Sequence, residues 1–263
     1  MQVPFNGPNS SHVLSRVAVP QSFHPALLNA RESVRTASVA AIQHGASPWS
    51  ISVAKRTLDF SVALGCVLFF ALPMLILAIC VRVSSNGPAL FVQKRVGRGG
   101  HLFGVYKFRT MTVGSSSGLG LTKLGDSRIT GFGRLMRKFK LDELPQFYNI
   151  LRGEMSLVGP RPKLARYEPM ANMLYRPGIT GAATLAFRHE EEILGGIHPS
   201  KIDHFYEKHI MPVKAQIDSQ YMIDATLLSD MRIVAATFLA CLRPLGKRSP
   251  FEGGKHWSVK SAG

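Results

Sequence analysis

The sequence predicts an α+β protein, mainly helical, in which a proline-broken membrane helix joins a compact domain carrying amphipathic interfacial helices and short strands. Three observations point there. A run of about 22 residues without formal charge, Phe60 to Val81, would be about 33 Å long as a helix and holds Pro73 inside it. The stretch GPALFVQKRVGRGGHLFGVYKFRTM alternates apolar Leu102, Val105 and Phe108 with polar neighbours around a glycine-rich turn, the pattern of short extended segments. Farther on, KLDELPQFYNILRGEMSLVGPRP, from Lys140 to Pro162, has the residues of a helix start and stop.

Taken in order, residues 1–49 are rich in Ser, Ala, Val, Asn and His without sustained periodicity, and are expected to form a poorly ordered extension with a short helix near Leu27 to Val34. No charged start followed by an apolar run marks a secretory signal there. Residues 50–83 hold the apolar helix. Pro73 removes one backbone hydrogen bond and leaves a first half of about 20 Å, too short for the hydrocarbon core, so a bent, re-entrant helix is expected. A spanning helix and a buried core helix are the alternatives. Lys55 and Arg56 precede the run and Arg82, Lys94, Arg95 and Arg98 follow it, so both flanks favour the cytoplasm.

Residues 84–243 are expected to form the compact domain, and residues 244–263 a flexible basic tail. Within the domain, Asp142 is a good cap for a helix start and Pro145 fits a first turn, where its missing N–H costs nothing. Leu144, Phe147, Tyr148 and Leu151 give an apolar face, and Gly153 suits the left-handed stop, so a helix of roughly three turns is expected. Its positive end would carry Asp142 and Glu143, with Arg137, Lys138 and Lys140 just upstream, a setting suited to a bound phosphate. On this motif alone, a cap and a favourable first-turn charge account for both carboxylates without catalysis. Tyr221 to Leu242 reads as an amphipathic helix on the core or in the interface.

Composition narrows the partners. The chain has 263 residues, 46% of them hydrophobic, and 32 Lys and Arg against 16 acidic residues give a net charge of +16. That balance favours anionic lipid, nucleotide phosphates or nucleic acid. Motifs for zinc fingers, basic zippers or aromatic RNA readers do not occur, which argues against nucleic acid. Gly97, Gly99 and Gly100 do not make a GxGxxG, and Gly120 to Gly125 lacks the lysine of a nucleotide P-loop. Cys66, Cys80 and Cys241 sit in apolar surroundings without metal-ligand spacing, as reduced thiols do. His189 with Glu190, Glu191 and Glu192, and the pair His204 and His209, lack the HExxH spacing and stay unassigned. Lys94, Arg95, Arg98, Lys107 and Arg109 either face anionic lipid or hold substrate phosphates.

The assembled motifs resemble those of the bacterial sugar transferases, the monotopic polyprenyl-phosphate phosphoglycosyl transferases in their small single-domain form. The likeness covers about Lys55 to Leu242: KRTLDFSVAL with its helix-breaking proline, GPALFVQKRVGRGGHLFGVYKFRTM, KLDELPQFYNILRGEMSLVGPRP, RPGITG from Arg176 to Gly181, and the final helix. It implies transfer of a phosphosugar from a UDP-sugar to polyprenyl (undecaprenyl) phosphate at the cytoplasmic face of the bacterial inner membrane, initiating exopolysaccharide or other glycoconjugate synthesis. Asp142 then matches the nucleophile that forms a covalent aspartyl-phosphosugar, and Glu143 its acidic partner, with Mg2+ held by Asp142 and Glu143. Arg137, Arg161 and Arg176 match arginines of phosphate or nucleotide binding, Lys107 and Arg109 are expected to join them, and Pro73 matches the proline that folds the helix back. The implied partners are the UDP-sugar, polyprenyl phosphate and anionic membrane lipid, without nucleic acid, and with homodimerisation open. After RPGITG many relatives continue with Trp-Ala-Gln, whereas this chain has Ala182-Ala183-Thr184 and then FRHEEEIL, so no sugar or acceptor contact is carried over from there. A non-catalytic membrane scaffold of a polysaccharide assembly complex is the competing reading.

Overall fold

A computed structural model describes residues 46–114, 125–164, 174–195 and 197–242; the expected helix near Leu27 to Val34 and the tail 244–263 lie outside them. Helix α1 (Pro48–Ile51) begins under a Ser47 cap, and α2 (Val53–Ser84) follows under Ser52, whose side chain accepts from the Lys55 N–H. At 32 residues α2 is about 48 Å long and stays helical straight through Pro73. The chain therefore does not leave the helix at the proline. Proline removes only one ladder bond, and the leucine-rich turns on either side carry the helix across.

Most of α2 is exposed apolar surface, with Leu68, Phe69 and Leu72 each more than 60% exposed, so it is no buried core helix. One narrow stripe packs inward at both ends. Near the start, Lys55, Asp59 and Ala63 are buried, at i, i+4, i+8 spacing. Near the finish, Val81, with Leu77 and Ala78, joins Phe108 and Met136.

The expected extended pieces are strands β1 (Leu90–Val96) and β2 (Leu102–Phe108), which pair as an antiparallel hairpin in register from Leu90 with Phe108 to Val96 with Leu102. Helix α3 (Gly131–Lys138) starts under Thr130, whose hydroxyl accepts from the Gly133 N–H at 2.9 Å. A 3₁₀ turn, Leu141–Glu143, precedes α4 (Gln146–Leu151), which ends before Gly153 in the left-handed region at φ 82°. Parallel strands β3 (Ser156–Val158) and β4 (Gly178–Thr180) lead into α5 (Ala182–Ala186) and α6 (Glu190–Gly195). Helices α7 (Ile202–Phe205) and α8 (Met211–Asp224) are joined by a π-helical stretch, Tyr206–Ile210. The last helix, α9 (Leu227–Leu242), is separate from α8. Thr226 and Ser229 bond each other's N–H groups reciprocally and start it afresh, so the helix expected from Tyr221 is two helices.

The main core joins Ala63 of α2 to Val105, Ile150, Met155, Val158, Tyr221 and Ile233. Asp230 of α9 stitches the start of α2 to it, accepting from Lys55 Nζ, from Trp49 Nε1 at 2.9 Å and from the Tyr221 hydroxyl. Asp59 accepts from Ser156 Oγ at 2.7 Å and from the Leu157 N–H at 3.2 Å. Arg56 donates to the carbonyls of Ile150 and Leu151, satisfying the C-terminal end of α4. Among the described residues, the three cysteines are free thiols.

Candidate active site

The site grows from a backbone irregularity. Lys140 adopts a left-handed conformation (φ 57°), which costs a residue with a Cβ about 1 kcal/mol or more, and its carbonyl accepts from the Glu143 N–H at 3.2 Å. The tight turn that follows buries two adjacent carboxylates, Asp142 at 7% and Glu143 at 8% exposure. Asp142 is thus in a 3₁₀ turn, and the expected cap on a three-turn helix does not form: α4 has only six residues and Pro145 stands before it.

The two carboxylates have opposite surroundings. Glu143 is clamped: Arg161 donates Nη1 to Oε2 at 3.2 Å and Nη2 to Oε1, while Lys107 Nζ on β2 reaches Oε1 at 3.4 Å. Burial works to raise the Glu143 pKa, but Arg161 and then Lys107 overcome it and hold the carboxyl far below its usual range. Asp142 has no such clamp. Its Oδ1 is buried without a hydrogen-bond partner, and burial, then the Glu143 charge, pushes its pKa up. Lys107 is in turn pushed down to about 8 by burial, against the pull of Glu143.

Each neighbour is delivered by its own element. Arg161 follows β3 on a segment that runs beside β1, where the Val96 N–H donates to the Lys163 carbonyl at 2.9 Å and Arg95 donates to the Pro162 carbonyl. Arg161 also donates to the Ile179 carbonyl of β4. Arg137, in the last turn of α3, acts on the Asp142 charge; its Nε donates to Thr110 Oγ1 at 3.0 Å and its Nη1 to Glu191 Oε1 at 3.3 Å. Asn149 of α4 accepts from the Tyr106 N–H and donates to the Gly104 carbonyl, fixing the hairpin against the helix.

Asp142, Glu143, Lys107, Arg137 and Arg161 therefore come together. Arg109 and Arg176 are directed elsewhere. Arg109 Nη2 donates to the carbonyl and hydroxyl of Ser85 at the end of α2, and Arg176 Nε donates to the Gly153 carbonyl. Pro73 is exposed on α2. Two polar residues beside the site were not singled out by the sequence reading. Glu191 lay in the unassigned acidic run, and Gln146, 2% exposed with an unpartnered Nε2, stands four residues after Asp142, a spacing that could have marked it.

A compact α+β domain seated along one long, exposed apolar helix, with buried carboxylates among guanidinium and ammonium groups, is the class of protein these features define. Residues 50–244 match the family described as bacterial sugar transferase, and this chain belongs to that family. It is 33% identical to the UDP-N-acetylgalactosamine-undecaprenyl-phosphate N-acetylgalactosaminephosphotransferase of Aeromonas hydrophila, over 74% of this chain and 45% of that protein. It is 37% identical to the UDP-glucose:undecaprenyl-phosphate glucose-1-phosphate transferase of Xanthomonas campestris pv. campestris, over 68% of this chain and 36% of that protein. A protein of the same description from Caulobacter vibrioides is 34% identical over 72% of this chain and 69% of its own length. The chain thus spans less than half of the first two relatives.

Proposed function

We propose that the protein is a phosphoglycosyl transferase that moves a phosphosugar from a UDP-sugar to polyprenyl phosphate through a covalent intermediate on Asp142, at the cytoplasmic face of the membrane. One observation carries the reading: an unpartnered, buried carboxylate beside a second carboxylate that two cations hold ionised. A membrane scaffold has no use for that contrast. The names of the relatives, which join a UDP-sugar to undecaprenyl phosphate, support the same substrates.

In the first displacement an Asp142 oxygen attacks the phosphorus bound to the sugar. The P–O bond to the nucleotide phosphate breaks, and UMP leaves with the electron pair. In the second, an oxygen of polyprenyl phosphate attacks the same phosphorus, the bond to Asp142 breaks and the carboxylate returns. No proton need move. Arg137 and Lys107 stabilise charge on the phosphoryl oxygens, and Arg161 keeps Glu143 ionised and fixed. Burial and the Glu143 charge raise the basicity of Asp142, which strengthens it as a nucleophile.

Mg2+ belongs to this proposal. It takes one or two carboxylates along with substrate phosphates and water, and the orphaned Asp142 Oδ1 fits one such bond. Glu143 would serve as the second ligand only by sharing oxygens already given to Arg161 and Lys107. Bound there, the ion would neutralise phosphoryl charge.

The packing of α2 supports a monotopic seating. Lys55 and Asp59 at one end and Val81 at the other, about 39 Å apart along the axis, all bury against the same domain. A helix crossing the bilayer would carry one end away from a domain held on one side. The test is a panel of UDP-sugars incubated with the membrane-reconstituted protein, polyprenyl phosphate and Mg2+. One sugar should yield UMP and a polyprenyl diphosphosugar, and no UMP release from any sugar would return the scaffold reading.

A further inference from the structure

The Arg137–Glu191 pair bridges α3 and α6 beside Asp142. Of the guanidinium nitrogens of Arg137, Nε donates to Thr110 and Nη1 to Glu191. The Glu191 ion pair thus draws on the same guanidinium that a substrate phosphate would engage. The Thr110 bond is the inner one. The Glu191 side chain is 50% exposed and its contact with Arg137 is the longer, at 3.3 Å against 3.0 Å.

We propose that Glu191 is a resident stand-in for the donor phosphate: its carboxylate holds Arg137 through Nη1, latching α6 to α3 beside Asp142, and the donor diphosphate opens the latch by taking its place. This rests on the assignment of Arg137 to the donor. A carboxylate and a phosphate offer a guanidinium the same paired oxygens, but the diphosphate brings more charge. The latch is built to lose that exchange. It is a part-exposed ion pair, a class worth only about 0–1 kcal/mol. Burial disfavours the ionised form of Glu191, against the pull of Arg137 and then Lys140, and the Asp142 and Glu190 charges add to that burial. The nucleophile beside it is shut off from solvent at Oδ1, as a site closed before substrate arrives should be.

A closed latch reduces apparent donor affinity by the fraction of molecules in which Arg137 is free, so removing the Glu191 charge should tighten nucleotide binding by about twofold to fivefold. The experiment is calorimetric titration of the full chain, in detergent or nanodiscs, with UDP and Mg2+ as the probe. Glu191→Gln and Glu191→Ala should both bind UDP about two to five times more tightly than wild type, with unchanged thermal unfolding. In an Arg137→Gln background, which should itself bind UDP more weakly, neither Glu191 substitution should change affinity further. Unchanged or weaker UDP binding in both Glu191 variants overturns the latch, as does a gain that persists without Arg137. If the wild type carries phosphosugar on Asp142 while Glu191 proves neutral, the latch alone falls. If the wild type binds no UDP, the donor assignment falls with it.

Discussion

Replacing the two neighbouring carboxylates by their amides should separate them by stability as sharply as by activity. Glu143→Gln leaves Arg161 and Lys107 facing a neutral amide. Breaking a fully buried pair costs about 3–5 kcal/mol. Here the Arg161 side chain is 34% exposed and that of Lys107 23%, so water recovers part of the loss and about 2–3 kcal/mol is expected. For a domain of this size that is about 4–12 °C in Tm. Asp142→Asn removes a charge that burial and Glu143 already disfavour, from a side chain whose Oδ1 has no partner, so Tm should hold or rise slightly. The assay is thermal unfolding by circular dichroism in one detergent at pH 7.5 without divalent cations. The pH dependence has a definite sign. A folded Glu143 pKa below its unfolded value means that its contribution is full above about pH 5 and shrinks as pH falls below the ordinary carboxylate range, narrowing the gap to Glu143→Gln. The raised Asp142 pKa works in reverse, so any advantage of Asp142→Asn at pH 7.5 should fade on acidification. Equal Tm values for Glu143→Gln and wild type, or an equal loss in both variants, would refute this account of the pair.

Three further outcomes follow from the geometry. Lys107, pushed down to about 8, loses its charge as pH rises, so the donor KM should climb between about pH 7.5 and 9, and Lys107→Arg should hold it flat; parallel profiles would remove Lys107 from phosphate binding. A Cβ on Gly133 would lie 2.2 Å from the Thr110 carbonyl oxygen, so Gly133→Ala should destabilise by about 1–3 kcal/mol in denaturant unfolding and raise the donor KM by displacing α3 and Arg137. Val53 and Val83, each more than 80% exposed near opposite ends of α2, should both be labelled from the cytoplasmic side when changed to cysteine in a chain lacking Cys66, Cys80 and Cys241; labelling at one end only would make α2 a spanning helix.

Legibility in the sequence followed how local the cause was. The β1–β2 hairpin and the stop at Gly153 were readable because alternation, glycines and a left-handed residue act within a few positions. The turn at Asp142 was misread because nothing in a lysine announces φ 57°; packing imposes that conformation, and it replaces one capped helix by a 3₁₀ turn and a six-residue helix. At Pro73 the local rule counts one lost hydrogen bond, which the cooperativity of a 32-residue helix absorbs. The carboxylates and three of their cations could be named from the motifs. Which cation serves which group could not, because Arg161, Arg137 and Glu191 come from separate stretches of the chain, while Arg109 Nη2 donates to the Ser85 carbonyl at the end of α2 and Arg176 Nε to the Gly153 carbonyl after α4.

The central claim is that Asp142 becomes covalently phosphorylated by the sugar phosphate, and intact-protein mass spectrometry tests it most directly. With the preferred UDP-sugar and Mg2+ but no lipid acceptor, a rapidly quenched sample should gain the mass of one phosphosugar, mapped to the peptide holding Asp142, with UMP released. Adding polyprenyl phosphate should discharge it. Asp142→Asn should show neither adduct nor turnover, because an amide is a poor nucleophile. Normal transferase turnover in Asp142→Asn, or an adduct mapped to another residue, would contradict the mechanism.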